Sequence, residues 1–299
     1  MPESKLPHLL HFHGIVFIFG FTSILGALIS IDAFALVWYR MGMAAILIGT
    51  YLGISQPKLL QIPRADTPSI VLGGIIIALH WITFFYAIKY AGVSLTLSMM
   101  STGALITAVL EPLWYQRKLR LYELGFGMLT IMGITLIFQA EFPYFLGLII
   151  AFISAVLSAV FTLLNGRLVQ RISAASLSFY QLLFGTVLIT GIFLFQGRFE
   201  PDFFRLNSND LLWLFLLASV CTAYAFIASI HVMKGLTPFT IMMTINLEPI
   251  YGILLSLLIF KEKEFLSPMF YVGMSIVLLS VFSNGVYKIR QQKKEQKEA

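Results

Sequence analysis

The chain has 299 residues, 59% of them hydrophobic and 11% charged, against about 25% charged in a soluble domain. Its mean hydropathy of +0.88 gives it more apolar surface than one aqueous domain can bury, which excludes a soluble fold. The net charge of +6 comes from basic residues spread between apolar runs, so it marks membrane topology rather than a nucleic-acid surface. Cys221, the only cysteine, excludes an intramolecular disulfide, and no motif asks for a cofactor.

A spanning helix needs about 20 mostly apolar residues, and ten segments meet that length: 9–30, 33–53, 69–88, 92–114, 121–140, 143–164, 175–196, 211–232, 237–260 and 267–287. These runs are twice the length of a barrel strand, and lipid-exposed backbone must satisfy its own hydrogen bonds, so they read as helices. The fold class is therefore all-α integral membrane with ten transmembrane helices.

The first segment spans fully and lacks a small-residue cleavage site, so it reads as a retained helix rather than a signal peptide. His8, His11 and His13 cluster at its start, without the cysteine or acidic partners that a metal site needs. The second segment carries Trp38, Tyr39 and Arg40. An ionisable group inside a span costs about 2.5–3.5 kcal/mol on insertion scales, so Arg40 needs a partner, a wet cavity or a function. Its planar fork could hold a carboxylate bidentately, pair with Asp32 or Glu248, or snorkel outward. Trp38 and Trp81 are candidates for cavity walls. The third segment places His80 beside Trp81, with Phe84 one turn on. His80 reads either as a hydrogen-bonded packing group or as a binding or proton-transfer group. Late in the fourth, Glu111 precedes Pro112 near Arg117 and Lys118, a gating or ion-pair position.

The sixth segment carries a stripe of Ser154, Ser158, Thr162 and Asn165, and the eighth one of Ser219, Thr222 and Ser229. Small polar stripes serve close helix packing and wet pathways alike. In the ninth, Pro249 lacks an N–H and so frees the carbonyl of Ile245, which predicts a kinked helix with the Glu248 carboxylate at its bend. Thr244, Glu248 and Tyr251 then share one face, with Asn246 a step round. This is an ion or substrate site, or a carboxylate satisfied by a neighbouring helix.

With the N-terminus inside, Lys5, Lys58, Arg64, Arg117, Lys118, Arg120, Arg167, Arg171, Lys234, Lys288, Arg290, Lys293, Lys294 and Lys297 are cytoplasmic. Lys89, Arg198, Arg205, Lys261 and Lys263 face the other way. Fourteen against five places both termini in the cytoplasm.

An internal repeat is visible. An offset of 141 sets Leu36–Arg40 over Leu177–Gln181, which makes Gln181 the counterpart of Arg40. An offset of 146 sets Gly127-Met128 over Gly273-Met274. Both agree with two five-helix halves, 1–141 and 142–287, followed by a charged tail, 288–299. Five is odd, so the halves enter the membrane in opposite senses, as in many secondary transporters that bind substrate between the repeats.

Pro249, Glu262 and Gly273, together with Arg40 in the second helix, resemble landmarks of the drug/metabolite transporter superfamily in its ten-helix EamA-type branch. The first half departs from that pattern: the offset puts Gly103 opposite Pro249 and Gln116 opposite Glu262, and Glu111-Pro112 stands apart. The resemblance implies a metabolite exporter or exchanger of a bacterial cytoplasmic membrane, working by alternating access, with amino acids the commonest cargo. Its partners would be the bilayer, a small-molecule substrate and a coupled proton or counter-substrate. The candidate substrate residues are Trp38, Tyr39, Arg40, His80, Trp81, Phe84, Gln181, Thr244, Asn246, Glu248 and Tyr251, with Glu111 at a gate. A passive channel lacks a filter sequence, and a membrane enzyme lacks a dense His, Asp or Cys cluster.

Overall fold

The computed structural model describes residues 5–116, 121–261 and 266–298. Arg117, Lys118, Arg120, Glu262 and Lys263 lie outside them, as do the side chains of His8, Lys288, Lys293, Lys294 and Lys297. No strand occurs among the described residues. The helices are α1 (Lys5–Leu28), α2 (Ala33–Ser55), α3 (Thr67–Ala91), α4 (Val93–Met100), α5 (Gly103–Tyr115), α6 (Leu121–Ala140), α7 (Phe145–Leu168), α8 (Ala174–Phe195), α9 (Ser208–Ala218), α10 (Ala225–Val232), α11 (Pro238–Ile245), α12 (Glu248–Phe260) and α13 (Pro268–Glu298). Among the described residues nine helical runs are long and apolar enough to cross a membrane, and Gly125–Ala140 in α6 is a shorter apolar helix. Large side chains such as Phe195 (94% exposed) and Ile54 (80%) face outward, which suits lipid and not water.

Three of the expected spans are broken. The fourth is α4 and α5, the ninth is α11 and α12, and the eighth is α9 and α10 joined by a π-helical turn, Ser219–Tyr224. The ninth is interrupted where a kink was expected. Pro249 has no N–H to give, and the hydrogen-bond ladder is interrupted at Asn246 and Leu247, whose backbones stay in the right-handed helical region while the Leu247 N–H turns to the Thr244 carbonyl at 3.1 Å, so Glu248 opens a second helical segment. Thr244 and Tyr251 therefore sit on separate helices.

Helix boundaries fix the repeat. Side chains of Asp32 and Ser173 cap α2 and α8 from positions 141 residues apart, in the register expected for Arg40 and Gln181. The broken spans match at 145: α5 starts at Gly103 and α12 at Glu248, and they end at Gln116 and Lys261, both at positive φ (55° and 52°). Gly133 and Gly273 then meet reciprocally. A Cβ on either would lie 2.8 Å from the other's carbonyl oxygen, so α6 and α13 cross where only glycine fits. Seventeen residues separate Gln116 from Gly133, but only twelve separate Lys261 from Gly273. The single offset of 146 is therefore replaced by 145 and then 140; Gly103 stands opposite Glu248, Gln116 opposite Lys261, and Gly133 rather than Gly127 opposite Gly273.

The packing obeys the same pseudo-two-fold. α2 packs on α8 and α6 on α13 as self-paired helices, and α4 on α12 mirrors α11 on α5. α1 on α12 mirrors α5 on α7, and α3 on α8 mirrors α9 on α2.

Candidate functional site

A partly open cavity lies between the halves. α1 gives it Phe19 and Thr22, α2 Arg40, and α3 Ile77, His80, Trp81 and Phe84. From the second half come Ser158, Phe161 and Thr162 of α7, Cys221 of the π turn, Phe226 and Ser229 of α10, Ile241 and Ile245 of α11, and Glu248 of α12. The walls are aromatic: Trp81 and Phe226 lie 5.4 Å apart, and Phe161 stacks on Phe226 at 5.6 Å.

Arg40 is 2% exposed. Its Nε donates to Thr222 Oγ1 at 2.6 Å and its Nη2 to the Cys221 carbonyl at 3.4 Å. The guanidinium lies 3.8 Å from the Trp81 ring centroid, a cation–π arrangement, while Nη1 has no hydrogen-bond partner among the described residues. Asp32 is engaged elsewhere: it caps α2 and accepts from Arg198 at 2.5 Å. Glu248 is also buried, at 8% exposure, and among the described residues no side chain hydrogen-bonds or ion-pairs with its carboxylate. An arginine and a carboxyl group from opposite halves thus line one cavity without a hydrogen bond or salt bridge between them.

His80 Nδ1 meets Ser154 Oγ at 2.8 Å and the Ser154 carbonyl at 3.0 Å, while Ser154 Oγ donates to the His80 carbonyl at 2.9 Å. With the serine proton committed to that carbonyl, Nδ1 carries the imidazole proton and Nε2 remains the ring's acceptor.

Of the expected substrate residues, the structure brings Arg40, His80, Trp81, Phe84 and Glu248 together. It places the others elsewhere. Trp38 Nε1 donates to Thr190 Oγ1 at 2.8 Å, and the Tyr39 hydroxyl donates to the Phe203 carbonyl at 3.0 Å. Both belong to an aromatic plug with Phe193, Phe199 and Phe203. Gln181 donates to Asn165 Oδ1 at 2.9 Å and packs on Gly73 and Gly74. Thr244 bonds the Thr240 carbonyl, Asn246 is buried at the helix break with both amide atoms unpartnered, and Tyr251 packs on Phe17. Phe19, Phe161 and Phe226 carried no sequence signal, because an aromatic wall reads like an aromatic facing lipid. Cys221 was legible only as a lone thiol.

The two ends of the cavity differ. At one end the turn between α1 and α2 is clasped three times: Asp210 accepts from the Ser30 N–H (2.7 Å) and hydroxyl (2.5 Å), Lys89 donates to the Ile29 carbonyl at 2.6 Å, and Arg198 holds Asp32. At the other end Met233 borders both the cavity and a more open concavity lined by Glu111, Tyr115, Arg167, Gln170, Arg171, Lys234 and Pro238. Arg171 there pairs with Asp66 at 2.5 Å.

The model of the EamA-like transporter family matches residues 8–139 and again 145–285. A solved structure described as "Crystal structure of protein" superposes with a TM-score of 0.66 at 16% identity, covering 93% of this chain and 96% of that one; at that identity it shows the fold alone. Among curated proteins none matches. With both halves matched by the model, the chain belongs to the EamA-like transporter family, within the drug/metabolite transporter superfamily, and is a multi-pass membrane transporter of small solutes.

Proposed function

We propose that the protein is a secondary transporter that carries an amino acid or closely related zwitterion between the two halves by alternating access, in export or exchange across a bacterial cytoplasmic membrane. The observation that carries this reading is the pair Arg40 and Glu248, which come from different halves of the chain and line one aromatic cavity without a hydrogen bond or salt bridge between them. A carboxylate fits the Arg40 side, an ammonium fits Glu248 and the His80 acceptor, and an apolar side chain fits the rings between. With the termini cytoplasmic, the clasped end faces outward and the wide concavity opens inward, a cytoplasm-facing arrangement. Proton exchange at Glu248 is the coupling step this reading favours.

Counterflow into proteoliposomes tests it with three probes of one shape: L-phenylalanine, phenethylamine without the carboxylate, and 3-phenylpropionate without the amine. The zwitterion is expected to exchange at least tenfold faster than either, about 1.4 kcal/mol of discrimination for each lost charge contact. Equal exchange of all three, or of none, overturns the assignment.

A further inference from the structure

We infer that Thr222 is the positioning residue for Arg40, and that the π-helical turn Ser219–Tyr224 presents both Thr222 and the Cys221 carbonyl to its guanidinium. The inference rests on the reading of Arg40 as the group that takes the solute's carboxylate. Thr22, Thr162, Thr186 and Thr244 each donate their hydroxyl to the carbonyl four residues back, as helical threonines do. Thr222 instead donates to Leu217, five residues back, at 2.7 Å. The wider π turn makes that carbonyl reachable. Once its proton is committed there, the hydroxyl can only accept, and Arg40 Nε is the donor it meets at 2.6 Å.

The same turn frees a second acceptor. In a regular helix the Ala225 N–H would bond Cys221, but here it bonds Val220 and Thr222. The Cys221 carbonyl is left to Arg40 Nη2 at 3.4 Å. Trp81 covers one face of the guanidinium at 3.8 Å. A flexible arginine side chain is thereby held by two acceptors and a ring, with Nη1, which has no hydrogen-bond partner among the described residues, left for an external acceptor. α3, which packs on Gln181 in the corresponding place, is an unbroken α-helix, so the π turn accompanies the charged member of the pair.

The test compares Thr222→Val, which keeps the branched shape and loses the acceptor, with Thr222→Ser, which keeps the hydroxyl. In counterflow, Thr222→Val is expected to raise KM for L-phenylalanine roughly tenfold, the scale of one hydrogen bond to a charged group, with a much smaller change in maximal rate. Inhibition by phenethylamine, which lacks the carboxylate, should stay at the wild-type level, and Thr222→Ser should behave as wild type. Equal weakening of both probes in Thr222→Val, or no change in KM, overturns the inference.

A second measurement needs no solute. In protein labelled with 5-fluorotryptophan, the ¹⁹F signal of Trp81, assigned by Trp81→Phe, should move in Thr222→Val toward its position in Arg40→Met and stay in Thr222→Ser. An unmoved signal in Thr222→Val overturns the positioning role. If wild type exchanges no phenylalanine while the signal moves as described, the zwitterion reading falls and the positioning role stands.

Discussion

At Arg40 and Glu248 the cost of burying charge has not been met by pairing the two within the protein, and each variant tests a different consequence. Arg40→Lys keeps the charge but gives up Nε and the planar fork, so both the Thr222 contact and bidentate capture are lost. Its KM for L-phenylalanine should rise on the order of tenfold or more, measured by counterflow; unchanged KM would contradict bidentate capture. Glu248→Gln keeps the shape and removes the titrating proton, so a well-inserted variant should lose pH-dependent net transport. An unaltered rate and pH profile would make Glu248 a packing residue. Both positions were legible in the sequence because an intramembrane charge has few explanations. Trp38 and Tyr39 were misleading for the converse reason: an aromatic next to a buried charge along the chain points to another helix face, and here it joins the Phe199 and Phe203 plug.

At the level of elements, the broken helices are the parts the sequence half disclosed. Pro249 announced a disturbance in the ninth span, yet the matching break at Ser101 and Thr102 has no proline and came into view only through the common caps at Gln116 and Lys261. The π turn had no sequence mark beyond the stripe of Ser219, Thr222 and Ser229. The clasp on the α1–α2 turn brings together Ser30, Lys89, Arg198 and Asp210 from distant segments, which hydropathy cannot show. Asp210→Asn weakens it by exchanging a charged acceptor for a neutral one. Modification of Cys221 by a membrane-impermeant thiol reagent from the clasped side should then speed up several-fold as the open population grows; an unchanged rate would show that the clasp does not hold that end closed. Gly133→Ala, at the α6–α13 crossing, must push apart two backbones and is expected to cost about 1–3 kcal/mol, read as a fall in thermal stability in detergent. Unchanged stability would mean the crossing is looser than 2.8 Å.

Across the whole molecule, the ten-helix count and the two halves followed from composition, segment length and the odd number of spans per half. The register of the last two spans of each half did not, because the first half carries five more residues before its crossing glycine and no single offset can align both ends. Charge bias predicts that both termini face the cytoplasm. Single-cysteine reporters in a Cys221→Ser background should label from outside at Asn207 and stay silent at Gln292, and strong labelling at Gln292 in intact cells would reverse the orientation. The most direct test of the central claim, that one cavity between Arg40 and Glu248 holds the solute, uses the native cysteine on its wall. The rate at which methyl methanethiosulfonate modifies Cys221 in reconstituted protein should fall with saturating L-phenylalanine, and this protection should vanish in Glu248→Gln. A modification rate indifferent to L-phenylalanine in wild-type protein that exchanges it would place the solute elsewhere and contradict the account.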